Sequence, residues 1–512
     1  MNSNSQAKQG KTLCSCFRSK ALLRITALLV LASFSYFWIS SYYRSKSKRT
    51  NEFVVGPIHT ARAASLCCPR VYIYSIADIE KRASDIVGKP LQITDIDPLN
   101  RFSLRLSFAR NTSIAAKDRI SVLNDALKDV PTQLKIPYNW DVKEFVTISK
   151  DYINMFLLRL ALSDCITTDP KEAELFIFPA AIHTSRAYDG HRQGTNRDWE
   201  KLFSTLDNYQ RLFEHFNCET ASKHVIFSRS YGHVKSSVGL WTETHLDPRV
   251  RNMQRIALGP TGTLISEQPW YLRVAYPLLG LFANQMRDKY DSMFYIDSMV
   301  HNVHSIPFCS LLVYPESALS SLNQINRTNL VSSYHAVDHG AQRELKIILN
   351  TQCDASVRCV NGHSNNSFNV ADALKIKSES IFCLEPRGDW PTRQSIVQDI
   401  LLGCIPVFFS PEQYMLWNAV WGSWVRDASI MVDPKVVLED KVDVIEMLEQ
   451  LPIEEIRWKQ QLIWQNAKRF IYLHLDDYMD VGSNYKHTCA VDAANLILAE
   501  LKHYSLAENS HC

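Results

Sequence analysis

The stretch SIFCLEPRGDWPTRQSIVQDILLGCIPVFFS, residues 380–410, alternates short apolar runs with a broken turn and an amphipathic segment. It divides into four predicted elements: a strand at residues 381–384, a loop at 385–391, a helix at 392–402 and a second strand at 405–409. The helix carries an apolar stripe spaced to lie on a sheet, and Gly403 follows it where a helix commonly ends. The stretch therefore predicts a strand–helix–strand unit of a parallel sheet.

The loop of this unit is predicted to bind an anion, because ligands of parallel sheets lie beyond the carboxyl ends of the strands. Gly388 lets a phosphate approach the backbone closely, and the helix start that follows offers unpaired N–H groups. Arg387 and Arg393 add guanidinium groups that bind phosphate oxygens bidentately. Thr392 can cap the helix or donate to a phosphate oxygen. These residues predict a site that holds a diphosphate without a metal.

The carboxylates of the same loop leave two interpretations open. Glu385 and Asp389 are predicted to accept hydrogen bonds from the hydroxyls of a ribose or a sugar. Alternatively, Arg387 and Arg393 pair with these carboxylates in a solvated loop that binds no ligand. The two interpretations differ in whether the guanidinium groups face a ligand.

Similar apolar runs recur along the chain and alternate with helical patterns, which is typical of an α/β fold. The predicted strands are VYIY at residues 71–74, LFIF at 175–178, VIFS at 225–228 and NLVSS at 329–333. Pro179 is expected to end the second of these strands. A helix is predicted at residues 342–350.

The amino-terminal region predicts a membrane anchor. Residues 25–43 are 19 uncharged residues, about the length that a helix needs to cross a bilayer. A buried core helix and a cleaved signal peptide are the alternatives. The segment lacks a polar face, and the small residues that could form a cleavage site lie too far beyond it. Residues 1–24 are therefore predicted to be a cytosolic tail and residues 44–66 a stem.

Features after residue 43 favour a lumenal body. Three N-glycosylation sequons begin at Asn111, Asn326 and Asn365, and eleven of the 13 cysteines lie in this part of the chain. Cys353 and Cys359 are a candidate disulfide, and a zinc pair is disfavoured because no nearby residues complete four ligands. The 56 basic and 53 acidic residues leave a formal charge of +3, which gives no global field for nucleic acid.

Residues 382–409 resemble the exostosin domain of glycosyltransferase family 47, most closely its plant branch typified by xyloglucan galactosyltransferases. The family pattern FCLxPPGDSxTRRSxFDxxxxGCIPVFF is FCLEPRGDWPTRQSIVQDILLGCIPVFF here. The resemblance extends to LKIILNTQCDASVRC at 345–359 and to DCITTDPKEAELFIFPA at 164–180. The departures include PRGDW for the family's PPGDS, with Arg387 in place of a proline, and Ser333-Tyr334-His335 where the family has FAG. The family's W-R-x-G-G-x-D-H element is reduced to TASKH at 220–224.

The resemblance implies a GT-B fold, in which two Rossmann-like domains face each other across a cleft. Residues 67–325 would form the acceptor domain, and residues 326–512 the nucleotide-sugar-binding domain with a helical tail. It implies an inverting glycosyltransferase of the Golgi membrane, single-pass and type II, which needs no cofactor and no metal. The DxD formed by Asp95 and Asp97 is interpreted as incidental. The donor would be UDP-linked and galactose-like, and the acceptor a polysaccharide or glycoprotein glycan.

The catalytic base is predicted to be His183, because it follows the strand at 175–178 and so should face the cleft. A hydrogen-bonded loop histidine is the alternative, and Asp189 and His191 are weaker candidates for the base. Two other functions remain open. The chain could be a non-catalytic partner that stabilises a catalytic paralogue in a homo- or hetero-oligomer, or a membrane-tethered glycan-binding protein.

Overall fold

The structure is a computed structural model of the 512-residue chain. It describes residues 68–95, 133–136, 140–143, 152–161, 163, 165–182, 197–203, 206–217, 219–228, 253–257, 303–308, 327–335, 337, 342–362, 370–388, 391–472 and 491–508. All of them belong to one compact unit, Ala63–Cys512.

The described strands are β1 Val71–Ile73, β2 Gln133–Ile136, β3 Trp140–Lys143, β4 Leu175–Ile182, β5 His224–Ser228, β6 Gln254–Ala257, β7 Val303–Ser305, β8 Asn329–Ser333, β9 Cys359–Asn361, β10 Ser380–Glu385, β11 Ile405–Phe408 and β12 Ile430–Met431. The described α-helices are α1 Ile76–Val87, α2 Tyr152–Ala161, α3 Arg197–Leu202, α4 Leu206–Leu212, α5 Arg343–Ala355, α6 Val370–Ser378, α7 Gln394–Leu402, α8 Asn418–Trp421, α9 Trp424–Asp427, α10 Pro434–Leu438, α11 Val444–Glu449, α12 Ile453–Ala467 and α13 Ala493–Glu508.

The first sheet is parallel throughout, with strand order β1-β4-β5-β6-β7. Alternate residues of β4 enter different cores: Leu175 and Ile177 pack in one buried cluster, and Phe176 and Phe178 in another. Successive side chains of a strand point to opposite faces, so both faces of this sheet are covered. This explains why β4 reads as an unbroken apolar run in the sequence.

The prediction that Pro179 ends β4 is wrong, since the strand continues to Ile182. The pairing of β4 with β5 shifts register between Ile177 and Ala181. Proline has no N–H to donate to the neighbouring strand, so the ladder is interrupted at the proline and resumes beyond it.

The second sheet is also parallel, with strand order β12-β11-β10-β8-β9. The predicted strand–helix–strand unit is confirmed as β10, α7 and β11. Gly403 ends α7 in the left-handed conformation with φ 69°, as the sequence predicts. Chain order reverses between β8 and β10, which makes their carboxyl ends the topological switch point of this sheet.

The disulfide predicted between Cys353 and Cys359 is confirmed, with Cα atoms 5.0 Å apart. Two further disulfides between described residues were not predicted. Cys68 pairs with Cys165 beside β1, and Cys383 of β10 pairs with Cys404, the residue before β11. The Cys383–Cys404 disulfide therefore links the neighbouring strands β10 and β11 of the second sheet.

The last helix, α13, packs against the first sheet although it lies at the end of the chain. Asp492, just before α13, accepts two hydrogen bonds from Arg159 of α2, at 3.0 Å from Nε and 2.8 Å from Nη2. Gln254 of β6 donates to the carbonyl of Leu501 in α13 at 2.9 Å. The helical end of the predicted second domain thus contacts the predicted first domain, and the division at residue 326 stays a prediction.

The predicted membrane span at residues 25–43 and the stem at 44–66 lie outside the described residues. Within the described ranges, no helix combines the length and the apolar character needed to cross a membrane. The three sequon asparagines, Asn111, Asn326 and Asn365, also lie outside them.

Candidate functional site

The candidate site lies at the switch point of the second sheet. β8 ends at Ser333 and β10 at Glu385, and the strands pair side by side through Leu384 and Ser333. The loop after β10 leads to the amino terminus of α7. The residues that the sequence predicts for anion binding therefore lie where α/β sheets of this topology bind ligands.

Two glutamine amides fix the strand ends beneath the site. Gln342 donates to the carbonyl of Phe409 at 2.9 Å and accepts from the N–H of Arg387 at 2.8 Å. Gln413 donates to the carbonyl of Glu385 at 3.0 Å and accepts from the N–H of Phe409 at 3.1 Å. Each amide spans two strand ends, so the ends of β10 and β11 are held at a fixed separation.

Gln342 itself adopts φ 57°, a left-handed conformation that is uncommon for a residue with a side chain. It precedes α5, and its carbonyl accepts from the N–H of Lys346 at 3.0 Å. Strained backbone of this kind persists where the surroundings over-determine it. Here the two side-chain hydrogen bonds of Gln342 supply that constraint.

Arg393 is the N-cap residue of α7, with extended backbone at φ −142°. Its Nη1 donates to the carbonyl of Pro386 at 2.6 Å and lies 3.5 Å from Oε2 of Glu385. The side chain is 19% exposed. Neither Nε nor Nη2 has a hydrogen-bond partner within the described part of the chain. One corner of the guanidinium group is therefore anchored, while the opposite edge remains available for a bidentate ligand.

Thr392 does not cap α7, as one prediction had it, because Arg393 occupies the N-cap position. The Thr392 side chain is 4% exposed, and its Oγ1 has no hydrogen-bond partner among the described residues. A buried hydroxyl without a partner is costly, and a ligand oxygen would satisfy it. Arg393 makes no side-chain cap bond, so the first turn of α7 keeps N–H groups for an anion.

The other predicted loop residues are less open to a ligand. Arg387 is 6% exposed, which places its side chain below the surface rather than in a solvated loop. Gly388 follows it and is partly buried. Asp389, predicted to accept from a ribose or a sugar, lies outside the described residues. Arg393 is therefore the guanidinium group with access to solvent.

Glu385 is not placed for its predicted role of accepting a hydrogen bond from a ribose or sugar hydroxyl. Its side chain is 1% exposed, and its carboxylate accepts from Lys377 Nζ at 2.9 Å and from Ser395 Oγ at 2.6 Å. Together with Arg393, these groups face both carboxylate oxygens, so Glu385 is not placed to accept from a sugar hydroxyl. The predicted alternative of an Arg393–Glu385 pair is present, but the carboxylate in it is buried rather than solvated.

Lys377 lies between Glu385 and Asp399, and it contacts both carboxyl groups. Burial alone would lower the pKa of Lys377, but Asp399 and Glu385 raise it above its ordinary value. Burial would raise the pKa of Glu385, yet Lys377 and Arg393 bring it down to about 2. Burial, aided by the charge of Glu385, raises the pKa of Asp399 well above its usual range. Lys377 and Arg393 thus place two cations beside the carboxylate of Glu385, and the Asp399 carboxyl holds a negative charge less readily than Glu385 does.

Asp399→Asn should therefore change stability in a pH-dependent way. A carboxyl group whose pKa is raised on folding stabilises the fold below its unfolded pKa, 3.8, and loses that contribution as the pH rises towards the folded pKa. We expect the free energy of unfolding of the variant, relative to the parent, to increase as the pH rises above 3.8 towards the raised pKa of Asp399 in the folded state. Urea denaturation at a series of pH values measures it.

Glu385→Gln is the matched control for that experiment. The pKa of Glu385 is lowered on folding, so its contribution is present at neutral pH and disappears in acid. Its deficit relative to the parent should shrink as the pH falls. A pH-independent offset for Asp399→Asn would contradict a raised pKa of that side chain.

His335 occupies the third position of the tripeptide that departs from the family pattern, and it is buried at the site. Its Nδ1 lies 3.3 Å from Ser333 Oγ, and its Nε2 lies 3.5 Å from the carbonyl of Lys346. Burial, and then the charge of Arg393, lower the pKa of His335 to about 3. The ring is therefore neutral at physiological pH and adds no charge to the site.

Tyr334 packs directly on Gly362, whose N–H donates to the carbonyl of Ser333 at 3.0 Å. A Cβ atom at residue 362 would overlap the tyrosine ring.

We expect Gly362→Ala to lower the free energy of unfolding by about 1–3 kcal/mol, since the ring must shift. Thermal and urea denaturation measure this. The same substitution should cost less in a Tyr334→Ala background, and an equal cost in both would rule out the overlap as the cause.

The predicted base His183 and the weaker candidates Asp189 and His191 lie outside the described residues, and so does Asp97. Asp95 ends a short 3-10 helix, Ile93–Asp95. Within the described ranges, no group of three His, Cys, Asp or Glu side chains is placed to hold a metal ion.

The site includes several residues that the sequence did not single out: Gln342, Lys377, Asp399 and Gln413. Gln342 and Gln413 lie outside the β10–α7 segment and reach it only through the fold. Asp399 carries a sequence signal, since it is a charged residue in the otherwise buried part of α7, whereas Lys377 lies in α6, which also has exposed charged residues. A buried charge needs a partner, but no pattern in the sequence identifies Lys377 as that partner.

The Exostosin GT47 domain model matches residues 69–448, well over half of the chain. The chain belongs to this family. The resemblance of residues 382–409 to family 47 is thereby confirmed.

This GT47 chain is 32% identical over 136 residues to xyloglucan-specific galacturonosyltransferase 1 of Arabidopsis thaliana, covering 25% of this chain and 20% of that protein. It is 29% identical over 189 residues to the probable xyloglucan galactosyltransferase GT17 of the same plant, covering 35% and 39%. The matched stretches thus span less than half the length of these relatives. A sucrose-phosphate synthase from Thermosynechococcus elongatus aligns with a TM-score of 0.26 at 11% identity, over 55% of this chain and 78% of that one. A score at this level does not establish a shared fold.

Proposed function

We propose that this chain is an inverting glycosyltransferase of GT-B architecture that moves a sugar from a nucleotide donor to a glycan. The observation that carries the proposal is Arg393, anchored by one corner at the start of α7 on the switch point of a parallel sheet. Next to it is the buried hydroxyl of Thr392, which has no hydrogen-bond partner among the described residues. These groups match the diphosphate of a nucleotide sugar.

The transfer would use these residues as follows. As the acceptor oxygen attacks the anomeric carbon, the bond from that carbon to the diphosphate oxygen breaks, and negative charge develops on the leaving group. Arg393 and the amino terminus of α7 stabilise that charge. The proton of the acceptor hydroxyl goes to a general base, for which His183 is the proposed residue. Inversion follows from a single displacement, and neither a metal nor a cofactor is part of the proposal.

The names of the relatives suggest the substrates. Galactosyl- and galacturonosyltransferases that act on xyloglucan favour a UDP-linked donor, galactose-like in the first instance, and a polysaccharide acceptor. A glycoprotein glycan is the second acceptor to consider.

The proposed location is the Golgi membrane, with a single type II span at residues 25–43 and the described body in the lumen. Three disulfides among the described residues of the body support a location in the oxidising secretory pathway.

A non-catalytic role in a hetero-oligomer with a catalytic paralogue is the second candidate. It is favoured by Ser333-Tyr334-His335, which places a buried neutral histidine beside Arg393 where the family has FAG. A partner of this kind would keep the fold and lose turnover.

A donor screen on the full-length chain in detergent distinguishes these proposals. UDP-galactose, UDP-galacturonic acid and other nucleotide sugars are offered in turn with xyloglucan fragments, and the release of nucleoside diphosphate is measured with and without EDTA. We expect turnover of one donor that resists EDTA. Nucleotide binding without turnover of any donor would favour the partner role. The absence of both would refute the glycosyltransferase proposal.

A further inference from the structure

A buried group of charges lies behind Arg393, and the proposed reaction does not use it directly. Glu385 ends β10, Lys377 lies in the last turn of α6, and Ser395 lies in the first turn of α7. The side chains of Lys377 and Glu385 are 2% and 1% exposed. In the family pattern quoted above, the position of Glu385 is not restricted to one residue type.

The contacts of Glu385 fix the direction of its carboxylate. Oε1 accepts from Lys377 Nζ at 2.9 Å, and Oε2 accepts from Ser395 Oγ at 2.6 Å. With one donor on each oxygen, the group cannot rotate without breaking a buried hydrogen bond. Oε2 is also the oxygen that lies 3.5 Å from Nη1 of Arg393.

The same Nη1 donates to the carbonyl of Pro386, the residue after Glu385. A side-chain oxygen of Glu385 and a main-chain oxygen of its neighbour therefore hold one corner of the guanidinium group. Arginine has many rotamers, and an arginine held by one corner loses less entropy when its opposite edge binds a ligand. Without the negative charge of Glu385, Lys377 and Arg393 would repel each other across the same space.

We propose that Glu385 is a positioning residue that acts through Arg393, holding its guanidinium group ready for the diphosphate of a nucleotide. The inference rests on the proposed function, because it names a residue that supports the same site. Lys377 and Ser395 orient the carboxylate of Glu385. Glu385 in turn orients the guanidinium group of Arg393.

A double-mutant cycle separates positioning from a general structural role. The binding of UDP to the full-length protein is measured by calorimetry for the parent, Glu385→Gln, Arg393→Ala and the double variant. We expect Glu385→Gln to weaken UDP binding about tenfold in the parent, and less than about twofold once Arg393 is absent. Uridine, which has no diphosphate, should bind the parent and Glu385→Gln equally. Equal losses of UDP affinity in both backgrounds, or a matching loss for uridine, would overturn the proposal.

Three further variants guard against misfolding and loss of charge. Ser395→Ala removes a single donor to Glu385 and should weaken UDP binding by a smaller factor, again only when Arg393 is present. Glu385→Asp keeps the charge and should recover part of the affinity. Glu449→Gln removes a carboxylate from an exposed pair with Arg358 and should leave UDP binding unchanged.

A crystal structure of Glu385→Gln gives a readout that does not depend on nucleotide. We expect Arg393 to leave the Pro386 carbonyl in that variant, and an unchanged Arg393 side chain would overturn the proposal. If the parent binds neither UDP nor any other nucleoside diphosphate, the proposed function fails. The position of Arg393 in the variant crystal still decides whether Glu385 holds it.

Discussion

Arg393→Ala should lower the rate of sugar transfer by at least about a hundredfold while the protein stays folded. Arg393 is the candidate ligand group with solvent access, and it lies where the leaving diphosphate gains charge. Glu385 keeps its hydrogen bonds from Lys377 and Ser395 in this variant, so no carboxylate is left buried without a partner. The free energy of unfolding should therefore fall by no more than about 1 kcal/mol.

The experiment compares initial rates of transfer with thermal unfolding for the same preparations. Arg393→Lys keeps the charge but loses the planar fork, and its rate should lie between those of the parent and Arg393→Ala. Arg358→Ala is the matched control, because Arg358 is an exposed arginine that directly precedes β9 of the second sheet and pairs with Glu449. Near-normal turnover of folded Arg393→Ala would refute the phosphate-binding role.

Asp492→Ala should lower the free energy of unfolding by about 3–5 kcal/mol, the largest effect on stability that we expect from one substitution. The side chains of Asp492 and Arg159 are 0% and 2% exposed and form two hydrogen bonds. Removing the carboxylate takes away the two hydrogen bonds and the negative charge that Asp492 presents to this buried guanidinium group. The variant also loses the hydrogen bond from the N–H of Asn495 to Asp492 at the start of α13.

Urea denaturation, followed by tryptophan fluorescence, measures this loss. Glu449→Gln breaks a pair whose side chains are 53% and 48% exposed, and it should cost no more than about 1 kcal/mol. Replacing both Arg159 and Asp492 by apolar residues should restore part of the stability, because no lone charge remains. A cost for Asp492→Ala as small as that of Glu449→Gln would show that the buried pair contributes little.

Local patterns were enough to predict much of the fold. The runs that became β4, β5, β8 and β10 are short and largely apolar, and they alternate with helical patterns, so they were recognisable without tertiary information. The glycine that ends α7 was likewise recognisable from its position after the apolar stripe. The prediction that Pro179 ends β4 was wrong, because the missing N–H of a proline interrupts strand pairing only at that residue when the residues on both sides still pair.

The candidate site was predictable only in part, since its supporting contacts are non-local. Arg393 follows from the strand–helix–strand pattern, but the glutamine that binds the Arg387 N–H is Gln342, 45 residues earlier. The predicted ligand role of Glu385 failed because the sequence does not show that Lys377 and Ser395 approach its carboxylate. Thr392 was predicted as the N-cap of α7, but the N-cap is the next residue, Arg393. An error of one residue is usual for a helix boundary.

The disulfide between Cys383 and Cys404 closes a covalent ring around the loop and helix that contain the candidate site. Every residue from Leu384 to Gly403 lies inside this ring, including Arg387 and Arg393. A protease that cuts once within the loop would leave two fragments still linked through sulfur, and they would separate on a gel only after a thiol is added. The strand and the helix that present Arg393 are thus tethered at both ends, whether or not the peptide chain between them is whole.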